Sequence, residues 1–217
     1  MQPPAARIRP PVPYPKKVIQ MTITPEMIKE LREKTAAGVL DCKKALEACG
    51  GDPKKAQELL REKGLAVVNK KATRVAKEGL VEAYSHLGKS ASIVELNCET
   101  DFVARTPEFK TLAHEIAMQV VAARPTYLKP EDVPAEVVEG EKRVYRAQMA
   151  DQNKPEAVLE KIIEGKLKSF YAEVCLLNQL WVKDQSKTIQ DLIHERIAAT
   201  GENIVLRRFA RIELGEE

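Results

Sequence analysis

The sequence lacks the patterns that announce a metal site or a disulfide framework. Its four cysteines lie at positions 42, 49, 98 and 175, with no Cys-x-x-Cys pair and no histidine beside them. Zinc ligands usually stand at short spacings in the sequence. We therefore expect buried or unpaired thiols, a reducing compartment and no bound metal.

Aromatic residues, unbalanced charge and long apolar runs are scarce as well. Only 5% of the residues are aromatic, and 35 Lys and Arg residues nearly cancel 32 Asp and Glu residues to leave a net charge of +3. Nucleic-acid binders usually concentrate unbalanced positive charge and stacking surface. No apolar run approaches the ~20 residues that span a bilayer. We expect a cytoplasmic protein that contacts neither a membrane nor nucleic acid.

The residue sets of common enzymes are missing too. His114-Glu115 and His194-Glu195 begin like a zinc-protease motif, but neither is followed by a second histidine at the required spacing. No histidine accompanies a recognisable nucleophile turn. No glycine-rich loop that would cradle phosphates is present. We expect no enzymatic activity, no cofactor and no direct binding of GTP or GDP.

The residues that are present divide the chain into four segments. Residues 1–22 form a proline-rich, basic tail that we expect to be disordered. It is either a simple extension or a basic arm for ribosomal RNA. Residues 23–64 form a helical domain, residues 65–78 a linking helix with a basic face, and residues 79–217 a core of strands and helices. The predicted fold class is α+β.

Helix-capping signals define the helical domain. Thr24 and Asp52 each precede a proline, which predicts the N-caps of a first and a third helix. A second helix is predicted from about Val39 or Leu40 to Cys49, and Gly64 is expected to close the third. Three short helices with tight turns make a small bundle of the ubiquitin-associated (UBA) type.

The core segment begins with a hairpin signal. Residues 80–86 and 92–97 are short, rich in Val, Ile and Tyr, and separated by a glycine turn, which predicts two antiparallel strands. Thr106 is the predicted N-cap of an amphipathic helix that ends near residue 124. Further helices are expected within residues 131–171 and over 187–200.

A closing strand is predicted within residues 201–216. Its apolar residues alternate with mostly charged ones, which predicts one buried and one exposed face. The residues expected on the buried face are Ile204, Leu206, Ala210, Ile212 and Leu214. This strand and the hairpin would form an antiparallel sheet packed against the helices.

The most informative stretch joins the second predicted strand to the amphipathic helix. It reads NCETDFVAR, over residues 97–105, and places Asp101 beside Phe102 and Val103 in a short loop. Loops at element junctions commonly carry functional groups. Phe102 either turns inward to fill the core or projects toward a partner, and the residues alone leave both readings open.

This stretch resembles the signature of the translation elongation factor Ts family. Residues 28–64, IKELREKTAAGVLDCKKALEACGGDPKKAQELLREKG, resemble the family's N-terminal helical domain. Residues 201–216, GENIVLRRFARIELGE, resemble its closing strand. The three matches occur in the family's order, and the chain resembles the short form of the family.

The resemblance implies a function and a partner. The chain would be a guanine nucleotide exchange factor for the GTPase elongation factor Tu. Asp101 and Phe102 would disturb the partner's Mg²⁺ site, with Thr100 and Val103 holding the loop. Release of GDP would then let GTP bind. The short form is also expected to pair as a homodimer near the closing strand.

The helical domain would supply a second contact with elongation factor Tu. By resemblance, it docks through the turn formed by Gly38, Val39, Leu40 and Asp41. Val39 and Leu40 either form this contact or belong to the core of the bundle, and the sequence leaves both readings open. The alternative function is a ribosome- or RNA-associated binding protein without exchange activity. A UBA-type peptide-binding module is a further alternative.

Overall fold

The computed structural model describes residues 23–35, 37–149 and 155–216, and the predicted tail 1–22 lies outside them. These residues form helices and antiparallel strands, which confirms the predicted α+β class. The helices are α1 (Pro25–Thr35), α2 (Val39–Ala48), α3 (Pro53–Lys71), α4 (Asp101–Ala104), α5 (Pro107–Ala123), α6 (Ala135–Gln148), α7 (Glu156–Val174) and α8 (Ile189–Thr200). The strands are β1 (Glu78–His86), β2 (Ser90–Cys98), β3 (Leu180–Trp181), β4 (Asp184–Thr188) and β5 (Val205–Glu213).

The first three helices pack around a small core of their own. Its largest buried side chains are Leu31 and Leu46, and Leu60 closes it from α3. Asp52 caps α3 by accepting hydrogen bonds from the backbone N–H groups of Lys54 and Lys55. The predicted bundle is therefore present, with the N-cap of α3 where the sequence places it.

Helix α3 is longer than the sequence predicts. It passes through Gly64 without a break and ends at Lys71, so the bundle and the predicted linking helix share one continuous helix. A Cβ atom on Gly64 would lie 3.5 Å from the Cβ of Ala198 on α8. This is an ordinary van der Waals distance, so the contact does not require glycine. The helix-forming residues that follow Gly64 continue the helix.

The core contains a three-stranded antiparallel sheet with the order β1-β2-β5. Helix α5 packs across one face, where Phe109 and Ile116 are fully buried against Val94 and Leu96 of β2. The sheet therefore has one covered face. Thr106 caps α5 through the backbone N–H of Phe109, as predicted.

The predicted alternation of the closing strand is wrong beyond Leu206. In the pairing with β2, Leu96 lies opposite Leu206 while Glu95 lies opposite Arg208, so Arg207 is an extra residue that forms a β-bulge. The bulge reverses the faces that follow. Leu206 is buried at 4% exposure, whereas Ile212 is 76% exposed.

A small hairpin of β3 and β4 precedes α8 and was not predicted. Gln119, buried in α5, connects it to the core by accepting a hydrogen bond from the Val182 backbone N–H at 2.9 Å and donating one to the Leu180 carbonyl at 3.1 Å. None of the helices within the described ranges is both long and apolar enough to cross a membrane.

Candidate functional site

The residues predicted as a loop around Phe102 form a one-turn helix. Thr100 is the N-cap of α4, and its hydroxyl oxygen accepts a long hydrogen bond of 3.5 Å from the Val103 backbone N–H. Asp101 follows in the first turn, where its negative charge favours the helix N-terminus. The sequence forms helix here because a capping residue, Thr100, and an acidic residue, Asp101, follow each other just after the end of β2.

Helix α4 divides its side chains between the core and solvent. Phe102 is 80% exposed, whereas Ala104 is buried and Val103 is half-buried against the main core. Most of the ring therefore faces solvent and contributes little to the core of this protein. The structure therefore favours the projecting reading of Phe102 over the core reading.

Asp101 directly precedes Phe102 in the chain. It forms an ion pair with Arg105 at 2.8 Å, four residues further along the chain. Both side chains are substantially exposed, so the pair is weak and can exchange partners in solution. Asp101 is thus available for a second molecule, while Thr100 and Val103 face inward.

Two carboxylates fix the chain that leads into α4. Glu202, in the turn between α8 and β5, accepts hydrogen bonds from the Thr100 backbone N–H at 3.1 Å and from the Thr100 hydroxyl at 2.7 Å. Glu99 accepts a hydrogen bond from the Asn203 backbone N–H at 2.7 Å. This hydrogen bond is the main cause that lowers the pKa of Glu99 below its usual value.

Sequence reasoning did not find Glu202 and Asn203. They lie about a hundred positions from the residues they hold, and no local pattern reports such a pairing. The one available signal is Gly201, a helix-ending glycine that places the next residues in a tight turn. Arg74 joins the same group of contacts. Its guanidinium lies 3.3 Å from the Glu99 carboxylate, and its carbonyl accepts a hydrogen bond from the Asn203 side chain.

The second predicted contact surface lies at the start of α2. Gly38 is the N-cap of this helix, and Val39 and Leu40 are 51% and 70% exposed. Asp41 is also exposed. The structure thus excludes Val39 and Leu40 from the buried core of the bundle and leaves them on the surface, as a docking role requires.

A cavity of about 240 Å³ lies between α3 and α8. Two ion pairs line it: Arg61 pairs with Asp191 at 2.9 Å, and Lys187 pairs with Glu195 at 2.7 Å. His194 also lines the cavity. Burial lowers the pKa of His194 below its usual 6.5 and raises that of Glu195.

The lowered pKa of His194 predicts a dependence of stability on pH. The folded state favours the neutral imidazole, so its contribution is complete above the unfolded pKa near 6.5 and is lost as pH falls toward the lower folded pKa. We expect the unfolding midpoint to fall between pH 7.5 and pH 5.5 by more in the wild type than in His194→Gln. Thermal melts at both values test this.

The comparison of variant with wild type isolates His194 from its neighbours. Glu195 has the opposite effect, because its raised pKa favours proton uptake by the folded state. If the unfolding midpoints of the two proteins changed equally with pH, protonation of His194 would not contribute to stability.

The described residues offer little for metal or thiol chemistry. They contain no group of three or more His, Cys, Asp or Glu side chains that could hold a metal ion. All four cysteines are free, and three of them are buried. Burial raises the pKa of the Cys98 and Cys175 thiols to about 11, which disfavours the reactive thiolate.

Known proteins resemble this chain over nearly its whole length. The family model described as elongation factor TS matches residues 26–216. Elongation factor Ts of Thermodesulfovibrio yellowstonii is 55% identical over 196 residues, which cover 90% of this chain and 98% of that protein. Elongation factor Ts of Thermotoga petrophila is 56% identical over 197 residues, with 90% and 98% coverage.

Proposed function

The chain belongs to the elongation factor Ts family, and from that premise we propose that it is a guanine nucleotide exchange factor for elongation factor Tu in translation. It binds the GDP-bound GTPase, promotes GDP release and lets GTP bind. Its role requires no covalent chemistry, so it is not an enzyme in the chemical sense. We expect it to work in the cytoplasm without a cofactor.

The exposed ring of Phe102 is the observation that supports this function most strongly. It projects from a short helix whose base is fixed by Glu202 and whose inner side packs on the core. A rigid aromatic side chain can enter a groove on a partner at a low entropy cost. This geometry suits the displacement of structural elements in another protein.

Exchange requires a difference in affinity between two states of the GTPase. A factor that bound the nucleotide-free and GDP-bound forms equally would shift nothing. Seating of Phe102 is therefore proposed to require the rearrangement that disturbs the Mg²⁺ site. Once Mg²⁺ loses its ligands, the diphosphate charge is poorly compensated and GDP leaves. Because coupling is reciprocal, tightly bound GDP also weakens binding of the factor.

Asp101 and the bundle have separate proposed roles. Asp101 competes for hydrogen bonds that hold the metal-binding elements of the GTPase. Among the described residues, its carboxylate pairs with the exposed Arg105 alone. The turn at Gly38 to Asp41 docks on the GTP-binding domain through Val39 and Leu40, which are exposed. This contact supplies affinity, whereas the ring supplies the difference between states.

The open face of the sheet supports the proposed homodimer. Side chains alternate across a strand, so the register places Val81, Ile93 and Ile212 on the face opposite α5. They are 65%, 51% and 76% exposed. Packing this face on the same face of a second copy would bury them with two-fold symmetry, at the spacing of about 10 Å typical of stacked sheets.

Release of fluorescent GDP from elongation factor Tu tests the function directly. We expect the wild-type chain to accelerate release by about 1,000-fold or more, which corresponds to a barrier lower by about 4 kcal/mol. The RNA-binding alternative predicts strong, salt-sensitive RNA affinity without acceleration. That combination would overturn the exchange function, and the absence of both would leave a peptide-binding module as the remaining reading.

A further inference from the structure

Two consecutive residues before α4 are held by two consecutive residues before β5. The Glu202 carboxylate accepts from the backbone and hydroxyl of Thr100, and the Glu99 carboxylate accepts from the backbone of Asn203. Each segment thus supplies a carboxylate to the main chain of the other. We call Glu99, Thr100, Glu202 and Asn203 the brace.

Further hydrogen bonds hold the part of the brace that lies before β5. Asn203 is 4% exposed, and its side-chain amide donates to the Arg74 carbonyl at 2.8 Å. The backbone N–H of Glu202 donates to the Thr200 hydroxyl at 3.3 Å. The turn that carries Glu202 is therefore held by hydrogen bonds other than those between Glu202 and Thr100.

Helix α4 depends on such external support because it is short. A helix of four residues cannot stabilise itself in water, since nucleation costs more than one turn returns. Phe102 cannot anchor it, because the ring is 80% exposed. The direction of the ring is set by the packing of Val103 and Ala104 on one side and by the brace on the other.

We propose that Glu202 is a positioning residue for nucleotide exchange, which holds Phe102 in its productive direction through Thr100 without contacting the reacting groups itself. This inference rests on the proposed exchange function and adds a residue outside the signature stretch. A misplacement of about 1 Å can cost roughly 100-fold in rate even when the mutation lies away from the reacting groups. The order that the brace provides also reduces the entropy cost of seating the ring.

The expected kinetic effect separates positioning from binding. Without the brace, the ring is seated less often, so the rate of GDP release at saturating factor falls. The concentration that gives half of the maximal rate changes little, because the other contacts with the GTPase remain. We expect Glu202→Ala to lower the saturated rate by about tenfold, between no effect and the roughly 100-fold cost of a full misplacement.

A conservative variant distinguishes hydrogen bonding from bulk. In Glu202→Gln the amide oxygen can still accept from the Thr100 backbone, and the amide nitrogen can donate to the Thr100 hydroxyl. We therefore expect Glu202→Gln to retain most of the saturated rate. A purely structural role of the side chain would not separate rate from half-saturation in this way.

Asp184→Ala is the matched control. Asp184 accepts from the backbone N–H and the hydroxyl of Ser186 at 3.0 and 2.7 Å, so it makes the same pair of hydrogen bonds on the β3–β4 hairpin. We expect this variant to stimulate GDP release from elongation factor Tu at the wild-type rate. If Glu202→Ala lowers the unfolding midpoint more than Asp184→Ala, Glu202→Asp replaces it, because the shorter side chain keeps the charge but cannot reach both Thr100 groups.

Cys98 provides a readout that needs no partner. Its thiol is buried and donates to the Thr100 carbonyl at 3.1 Å, so it reports opening of the segment that the brace holds. We expect alkylation of Cys98, followed by peptide mass spectrometry, to be faster in Glu202→Ala. Alkylation of buried Cys42 and Cys175 should stay unchanged.

The proposal is supported by a lower saturated rate in Glu202→Ala with faster labelling of Cys98. It is overturned if Glu202→Ala, or Glu202→Asp in its place, shows the saturated rate and the Cys98 protection of the wild type while Phe102→Ala loses exchange. A full rate in Phe102→Ala would instead contradict the role of the ring in exchange, and labelling of Cys98 would still test the brace.

Discussion

Replacing Phe102 with alanine is expected to slow factor-stimulated GDP release from elongation factor Tu by roughly 30- to 1,000-fold. Truncation of a central aromatic residue at an interface typically costs about 2–4 kcal/mol, and each 1.4 kcal/mol corresponds to about a factor of ten in rate. The ring is 80% exposed in the free protein, so this loss should appear in exchange and not in folding. Stopped-flow release of fluorescent GDP measures the effect.

The matched control is Leu87→Ala. Leu87 is a large apolar side chain in the β1–β2 turn and is 82% exposed, which is close to the exposure of Phe102. We expect this variant to stimulate GDP release from elongation factor Tu at the wild-type rate. Both variants should unfold within about 0.5 kcal/mol of the wild type, as is usual for exposed positions. Unfolding of Phe102→Ala at a much lower temperature would instead place the ring in the structural core.

The substitution Ile93→Glu is expected to convert the proposed dimer into a monomer. Ile93 lies on the central strand of the open sheet face, between Ala83 and Ala210 in the register. In a two-fold interface, a glutamate at this position would be buried without a partner and brought near its own copy. Like-charge contacts cost several kcal/mol, so we expect the dimer dissociation constant to rise by about 100-fold or more.

Light scattering over a range of concentrations measures this change. Val75→Glu is the control, because Val75 is a β-branched apolar residue that is 69% exposed but lies between α3 and β1, outside the sheet. It should stay dimeric. A wild-type chain that is monomeric at high concentration, or an Ile93→Glu variant that remains a dimer, would contradict the assignment of this face.

Local signals predicted the helices well. Thr24 and Asp52 precede prolines, and helices begin at Pro25 and Pro53, because capping and proline geometry depend on neighbouring residues alone. Thr106 likewise precedes Pro107, where α5 begins. The hairpin of β1 and β2 was also predicted. Strand β1 begins before its expected start, and β2 extends beyond both of its expected ends.

Long-range contacts decided the features that were missed. Gly64 is an exception, because a single glycine among helix-forming residues can continue the helix, as it does in α3. The bulge at Arg207 depends on how β5 pairs with β2, and it moves Ile212 to the open face. The β3–β4 hairpin carries mostly polar residues and is held by Gln119, so its sequence has no strand pattern of its own.

In the candidate site too, local signals were predicted and long-range contacts were missed. The signature stretch and its resemblance identified Asp101 and Phe102, and the structure then showed that the ring is exposed and that Thr100 and Val103 face inward. The support from Glu202 could not be predicted, since it requires knowledge of which turn lies beside Thr100. The residues that would meet the partner were thus accessible from sequence, whereas the residue that holds them was not.

The most direct test of the proposed exchange mechanism is a set of four dissociation constants. Wild type and Phe102→Ala are each titrated calorimetrically against nucleotide-free elongation factor Tu and against its Mg²⁺·GDP form. We predict that the substitution weakens binding to the nucleotide-free form by about tenfold or more, a cost of at least about 1.4 kcal/mol, while binding to the GDP form is nearly unchanged. Equal weakening of both forms would contradict the mechanism, because the ring would then supply affinity without favouring GDP release.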